Sequence, residues 1–144
     1  MNNELVLLRS PSGYGKSTYA QKHFVSNGYI QLEADQFLYE DGVYVWKAEK
    51  LHGAHIACQR ACKEALEAGK NVVISNTNCL RKEILDYVRI ADALKVPYRV
   101  LRLTKEFKSI HNVPENILVK QKSRMTTQVW LGEILVTDYD QSPL

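Results

Sequence analysis

An α/β fold, with about five parallel strands and helices on both faces of the sheet, is what the pattern of this chain predicts. Three observations carry the prediction. Short apolar runs of strand length alternate with longer stretches in which apolar residues recur at helical spacing. The first apolar run, Leu5-Val6-Leu7-Leu8, leads into a turn rich in serine and glycine and then into a helix-forming stretch. Glycines at 28 and 69 stand where the first two helical stretches stop.

Taken in order, Leu5 to Leu8 reads as a buried strand and residues 16 to 26 as a helix stopped by Asn27-Gly28. Tyr29 to Leu32 is a second strand, with Glu33-Ala34-Asp35 at its carboxyl end, the side of an open α/β sheet on which ligands bind. Asp41-Gly42 marks a turn. From Lys47 to Ala68, Leu51, Ala54, Ala57 or Cys58, Ala61, Ala65 and Leu66 form one apolar stripe of a long amphipathic helix. Asn71 to Ser75 is a third strand of β-branched character, followed by Asn76-Thr77-Asn78. Residues 81 to 94 give another helix, and Pro97 to Leu103 a fourth strand. Pro114 suits a helix start, so residues 115 to 124 read as a short basic helix. Val129 to Val136 is a last strand or a hairpin, weakened by Gly132, and residues 137 to 144 read as a loose polar tail.

A length of 144 residues fits a single domain spanning 1–144. Hydrophobic content of 45% and charged content of 24% are those of a folded globular chain and exclude wholesale disorder. The early apolar run is cut by Arg9, so neither a signal-peptide core nor a membrane span is expected, and the location expected is cytoplasmic. Cys58, Cys62 and Cys79 include no C-x-x-C pair and suit a reducing compartment. His55, Cys58 and Cys62 share a helix but lie on its core-facing pattern, which favours packing over a metal site, whereas His52 is expected to face solvent. The net charge of +3 is small, but residues 99 to 124 carry seven Lys or Arg against two acids. That half of the chain favours phosphates, or presents a solvated basic face.

The turn after the first strand is Ser10-Pro11-Ser12-Gly13-Tyr14-Gly15-Lys16-Ser17-Thr18. It follows the phosphate-binding spacing G-x-x-x-x-G-K-[ST] with Ser10 in the first glycine position. Gly13 and Gly15 allow successive backbone N–H groups to turn toward phosphates, Lys16 reaches the β/γ-phosphates, and the Ser17 hydroxyl binds Mg²⁺. The expected cofactor contacts are Ser12, Gly13, Tyr14, Gly15, Lys16, Ser17 and Thr18 for ATP, with Ser17 also the metal ligand. The fold class is thus a P-loop NTPase/kinase fold with a short basic lid.

Phosphoryl transfer also needs a group to orient the acceptor and cations where charge gathers. Asp35 is the candidate carboxylate: it can accept a hydrogen bond from an attacking hydroxyl and take its proton late, or simply cap a following helix. The segment from Lys105 to His111 lies where a lid belongs, and Lys108 is the candidate mobile cation. Asn76-Thr77-Asn78 offers ligands for acceptor, water or metal, or plain turn chemistry. No acid stands at the end of the third strand, where Ser75 and Asn76 lie, so magnesium is expected to rest on Ser17, water and the phosphates.

These motifs resemble the small phosphate-loop kinases related to the kinase domain of phage polynucleotide 5′-hydroxyl kinase, and look closest to the stand-alone ATP-binding domains of that group. The resemblance runs from Leu5 to about Met125. It is carried by the loop from Ser10 to Thr18, Ala34-Asp35-Gln36-Phe37, Leu51-x-x-Ala54-His55-x-x-x-Gln59-x-Ala61, Ser75-Asn76-Thr77-Asn78, and Lys108-Ser109-Ile110-His111-Asn112-Val113-Pro114. It implies Asp35 as the general base for a 5′-hydroxyl, Lys16 and Ser17 as ATP and Mg²⁺ contacts, and a lid cation at Lys108, where the family usually has arginine. Leu38 stands where the phage enzyme has an arginine that binds the acceptor phosphate. The expected activity is ATP-dependent phosphorylation of a 5′-hydroxyl polynucleotide, DNA or RNA, with no obligate protein partner. Tyr39, Tyr44 and Trp46 are stacking candidates for that strand, or core packing. A kinase of a small metabolite, nucleoside or sugar is the alternative, and a non-catalytic nucleotide-binding domain a third.

Overall fold

The computed structural model describes residues 2–45, 47–107 and 113–144. Trp46 and Lys108, with the rest of the Lys108-to-Asn112 stretch, lie outside them. Strands β1 (Leu5–Arg9), β2 (Ile30–Leu32), β5 (Val72–Ile74), β6 (Tyr98–Leu103) and β7 (Ile134–Val136) form one parallel sheet in the order β2-β5-β1-β6-β7. A separate two-stranded hairpin joins β3 (Tyr39–Glu40) and β4 (Val43–Tyr44). The helices are α1 (Lys16–His23), α2 (Ala48–Glu67), α3 (Arg81–Ala93) and α4 (Glu115–Thr127).

Strand β1 is central because every one of its residues is buried, a burial that only a strand covered on both faces can provide. Its register sets Leu7 beside Ile74 of β5 and Val100 of β6. Alternation then divides the core. Leu5 and Leu7 pack with Ala54, Cys58, Cys62 and Leu66 of α2 and with Ile84, Tyr87, Val88 and Ala91 of α3. Val6 and Leu8 face the other layer, with Tyr19 and Ala20 of α1, Phe24 and Val136. Burying one such leucine contributes about 1.5–3 kcal/mol, and truncating it to alanine costs about 2–5 kcal/mol.

The structure revises three elements and sets a fourth, the expected turn at Asp41-Gly42, within a hairpin. The first helix ends at His23, and a 3-10 turn over Val25–Asn27 carries the chain to Gly28. Only Ile134–Val136 of the last apolar stretch is a strand, and it runs parallel to β6 rather than forming a hairpin. The turn at Asp41-Gly42 joins β3 to β4: both residues have positive φ, 51° and 80°, as the tightest hairpin turns require. Residues 137–144 are tied down rather than loose. The Tyr139 hydroxyl donates to the Tyr14 carbonyl at 2.9 Å, His23 Nε2 is 2.6 Å from the Tyr139 carbonyl, and Arg99 donates to the Pro143 carbonyl at 2.7 Å.

Arg9, which interrupts the apolar run in the sequence, is wholly buried. Its guanidinium donates to the carbonyls of Asn78, Cys79 and Gln128 at 3.1, 3.0 and 2.8 Å, and to the buried Glu133 carboxylate at 2.9 Å. It therefore fastens the end of β1, the segment after β5 and the approach to β7 at one point.

Candidate nucleotide and acceptor site

A cavity of about 1270 Å³ opens at the carboxyl ends of the parallel strands, where the segments after β1, β2, β5 and β6 converge. The phosphate loop forms its floor. Gly13 and Gly15 have φ of 86° and 74°, left-handed values that turn the chain into α1 without strain. A side chain at Gly15 would also press on Phe107, whose ring carbon lies 3.2 Å from where a Cβ would sit.

Distant segments hold this loop. Ser10 N–H donates to the Thr77 carbonyl at 3.0 Å, and Ser12 N–H to the Gln121 side chain at 2.9 Å. Phe107 N–H donates to the Gly13 carbonyl at 2.8 Å, and Tyr139 holds the Tyr14 carbonyl. The N-terminus of α1 follows, so its unpaired N–H groups and dipole point into the same space, the arrangement that favours phosphate.

Ser10 has a use that the glycine expected there lacks. The Lys16 ammonium donates to its hydroxyl at 3.1 Å, to its carbonyl at 3.2 Å and to the Pro11 carbonyl at 3.1 Å. Withdrawal from water pushes the Lys16 ammonium down to about 8, against the pull of Cys79, Glu33 and Asp35.

Of the expected nucleotide contacts, Ser12, Gly13, Gly15, Lys16, Ser17 and Thr18 line the cavity. Tyr14 is not on the wall; its backbone is the anchor point for Tyr139. Asp35 lines the same cavity, exposed in the 3-10 turn over Ala34–Phe37. It does not cap that turn, because the cap position belongs to Glu33. The turn is set by Asn76, which accepts from Ala34 N–H at 2.8 Å and donates to the Tyr87 hydroxyl at 3.3 Å. Lys108 lies outside the described residues; the residue before it, Phe107, is the one bonded to Gly13.

Asn76-Thr77-Asn78 braces the site, and Asn76 and Thr77 also line the cavity. Asn76 holds the Asp35 turn, Thr77 the loop, and Asn78, buried at φ 50°, donates to the Leu8 carbonyl at 2.7 Å. The basic run is also dispersed. Arg99 pairs with Glu4 at 2.7 Å, beside a separate cavity lined by the amino-terminal side of the sheet, and Lys122 pairs with Glu106 at 2.7 Å. Among the described residues of that run, only Lys120 and Arg124 reach the wall of the large cavity. Cys58 and Cys62 are core residues, and burial pushes the Cys62 thiol up to about 12. Among the described residues no cluster of three metal-ligating side chains forms. His52 is exposed, whereas His55 lines the cavity rather than the core.

Tyr39 and Tyr44 border the cavity from the hairpin, both exposed, with their rings 5.5 Å apart at 64°. Leu38 turns away and is buried among Leu32, Ala54 and their neighbours, so it offers nothing to a ligand. Sequence reading missed Glu33. Its carboxylate accepts from the Ser17 hydroxyl, from Ser75 Oγ at 2.5 Å and from Gln31 Nε2 at 2.9 Å. Its place at the end of β2 was the available sign, but nothing in local spacing ties it to Ser17.

A central buried strand, a left-handed glycine loop, a helix N-terminus and a tethered lysine, all at the carboxyl edge of a parallel sheet, define a P-loop kinase-type domain. An AAA domain family matches residues 5–113, and the chain belongs to it. An uncharacterized protein of Pasteurella multocida is 28% identical over 92% of this chain and 82% of its own length. The bifunctional polynucleotide phosphatase/kinase of Schizosaccharomyces pombe is 29% identical over 84% of this chain, which spans 26% of that protein. Among solved structures, the Pnkp1/Rnl/Hen1 RNA repair complex aligns with a TM-score of 0.72 at 16% identity, over 99% of this chain and 50% of that one. Chaetomium thermophilum Kti12 with ADP-AlF3 aligns at 0.64 and 15% identity, over 92% and 88%. A sugar kinase from Janibacter aligns at 0.63 and 17%, over 98% and 88%. These likenesses fix the fold, and no helix among the described residues is long and apolar enough to cross a membrane.

Proposed function

We propose that this chain transfers the γ-phosphate of ATP to the 5′-hydroxyl end of DNA or RNA. The observation that carries the reading is the shared wall: Lys16 and Ser17 on the phosphate loop, Asp35 across the cleft, and the exposed Tyr39–Tyr44 pair beside it line one cavity. The loop N–H groups and Lys16 hold the β- and γ-phosphates. Asp35 accepts the hydrogen bond of the 5′-hydroxyl and takes its proton as the new O–P bond forms and the bond to the β-γ bridging oxygen breaks, releasing ADP. Little base strength is needed, because the transition state is loose. Bound Mg²⁺, with Ser17 among its ligands, would neutralise charge shared by the β- and γ-oxygens. Lys108 is the lid cation of this reading: it follows Phe107, whose N–H is bonded to the loop, and as a lysine it supplies a point charge without a bidentate fork. Lys120 and Arg124 on α4 give an acceptor strand two further cations, and Tyr39 and Tyr44 give its terminal bases a stacking surface.

The burial of Leu38 favours a second reading, a small-metabolite, nucleoside or sugar kinase, because the turn then offers no cation to an acceptor phosphate. Transfer of labelled γ-phosphate from ATP to 5′-hydroxyl DNA and RNA oligonucleotides, beside a panel of nucleosides and sugars, decides between them. Oligonucleotide labelling that collapses in Asp35→Asn is the expected result. Labelling of small acceptors alone would replace the reading with the second. ATP binding without transfer to any acceptor would leave a nucleotide-binding domain.

A further inference from the structure

We propose that Glu33, at the end of β2, is the carboxylate that completes the magnesium site at Ser17, replacing an acid at the end of β5, where this chain has Ser75. The inference rests on the reading that the loop binds ATP with Mg²⁺ and is independent of the acceptor. Phosphate-loop enzymes of the nucleotide-triphosphatase type hold the metal between the loop hydroxyl and an aspartate from another strand. In this sheet β5 lies directly beside β1, and its end carries no carboxylate: Ser75 and Asn76 follow it, and Asn76 is engaged with Ala34 and Tyr87. Strand β2 is one position further out. Each strand adds about 4.8 Å, so an acid from β2 must reach further than one from β5 and must pass over whatever occupies the β5 end.

Glu33 meets both conditions. Glutamate is one methylene longer than aspartate, and the residue it crosses is a small serine whose hydroxyl donates to it at 2.5 Å. Gln31 donates to the same oxygen at 2.9 Å and to Ser75 Oγ at 2.9 Å. The tip of the side chain is thereby delivered to the Ser17 hydroxyl. Its bonded neighbours are all neutral, and among the described residues it has no ion pair, although it is half-buried. The Lys16 ammonium feels this carboxylate but donates its hydrogen bonds to Ser10 and Pro11 instead, and a divalent ion between Glu33, Ser17 and the phosphates supplies the direct cationic partner. One carboxylate, a hydroxyl, waters and phosphate oxygens form the hard-oxygen set that Mg²⁺ takes.

The test is calorimetric ATP binding with Mg²⁺ and with EDTA, plus the spectrum of Mn²⁺ bound with ATP, for wild type, Glu33→Gln, Glu33→Asp and the exchange Glu33→Gln/Ser75→Asp. Glu33 repels phosphates when no metal is present, so Glu33→Gln is expected to bind metal-free ATP at least as tightly as wild type. The tightening produced by the metal is expected to fall at least tenfold, with a changed Mn²⁺ spectrum. Glu33→Asp should fall between the two, and the exchange should recover the metal effect from the nearer strand. Full metal tightening in Glu33→Gln, or loss of metal-free and metal-bound affinity in equal measure across Glu33→Gln and Glu33→Asp, would overturn the proposal while leaving ATP binding intact. Failure of wild type to bind ATP under either condition would overturn the reading beneath it as well.

Discussion

The phosphate loop and the β3–β4 hairpin face each other across one cavity and are held by opposite means. Ser10, Ser12, Gly13 and Tyr14 are each bonded through the backbone to a different distant residue: Thr77, Gln121, Phe107 and Tyr139. The hairpin has strands of two residues, and its Tyr39, Val43 and Tyr44 are 57%, 62% and 46% exposed. It is attached through Leu38, which is buried and whose carbonyl accepts from Val45 N–H at 2.8 Å. The lesson is a division of labour. The wall made by the phosphate loop is fixed through its backbone to four distant segments, and the hairpin wall stands on the buried Leu38 and an exposed Lys50–Glu40 ion pair, where its exposed side chains can change at little cost to the fold.

Asp35→Asn should separate the two walls most sharply. On the proposed reading it removes the proton acceptor without disturbing the loop, so transfer to an oligonucleotide should fall by about 10²–10⁴-fold. ATP affinity, measured by calorimetry on the same sample, should stay within about twofold of wild type, since the loop N–H groups are untouched and Asp35 is the weakest of the three groups that pull on the Lys16 ammonium. A comparable loss of ATP affinity would show that the Asp35 turn belongs to the donor wall.

Next in size is the dependence of the loop on Arg9. Glu133→Ala leaves the buried guanidinium without its carboxylate and should lower unfolding stability by about 3–5 kcal/mol in urea titration. Tyr44→Ala, on the exposed hairpin, should change it by only about 0.5 kcal/mol. Equal effects would mean that the two walls do not differ in how the fold supports them.

How much of this was legible in the sequence follows the range of each interaction. The loop from Ser10 to Thr18 and Asp35 at a strand end were readable, because spacing within a few residues defines them. Glu33 was not: its partner Ser75 is 42 residues away, and they meet only because the sheet order places β2 beside β5. Arg9 read as a charge closing an apolar run, whereas its ligands come from residues 78, 79, 128 and 133. The cluster of basic residues from 99 to 124 looked like one patch, but β6 carries Arg99 toward Glu4 while α4 carries Lys120 and Arg124 to the cavity. Linear charge density does not survive a strand-to-helix crossover.

Tyr44→Ala is also the smaller test of the acceptor wall. Stacking of a base on an aromatic ring contributes about 1–3 kcal/mol, so the KM for a 5′-hydroxyl oligonucleotide should rise roughly 5- to 150-fold, with kcat and ATP affinity little changed. Tyr39 contacts Tyr44 edge to face, so the double substitution should cost less than the sum of the single ones. An unchanged KM would remove stacking from the hairpin and return its tyrosines to packing.

The smallest expected effect concerns the donor wall and is set by Lys16. Burial pushes its ammonium down to about 8 in the nucleotide-free protein, against an ordinary 10.5. Below pH 8 the lysine is already charged and ATP binds without proton uptake. Above pH 8 it is largely neutral, and the triphosphate, which favours the charged form, must bring a proton with it. ATP affinity should therefore weaken as pH rises through 8, by at most about tenfold per pH unit, and calorimetry in buffers of different ionisation enthalpy should detect uptake approaching one proton at pH 9 and none at pH 7. The stability of the nucleotide-free protein carries the opposite sign. Between pH 8 and 10.5 the unfolded chain binds more protons at this site than the folded one, so the contribution of Lys16 to stability improves with pH over the window in which its contribution to ATP binding declines. Lys16→Met should abolish both slopes. If it leaves the ATP slope in place, the titrating group is elsewhere, and the loop lysine is not what joins proton to phosphate at this wall.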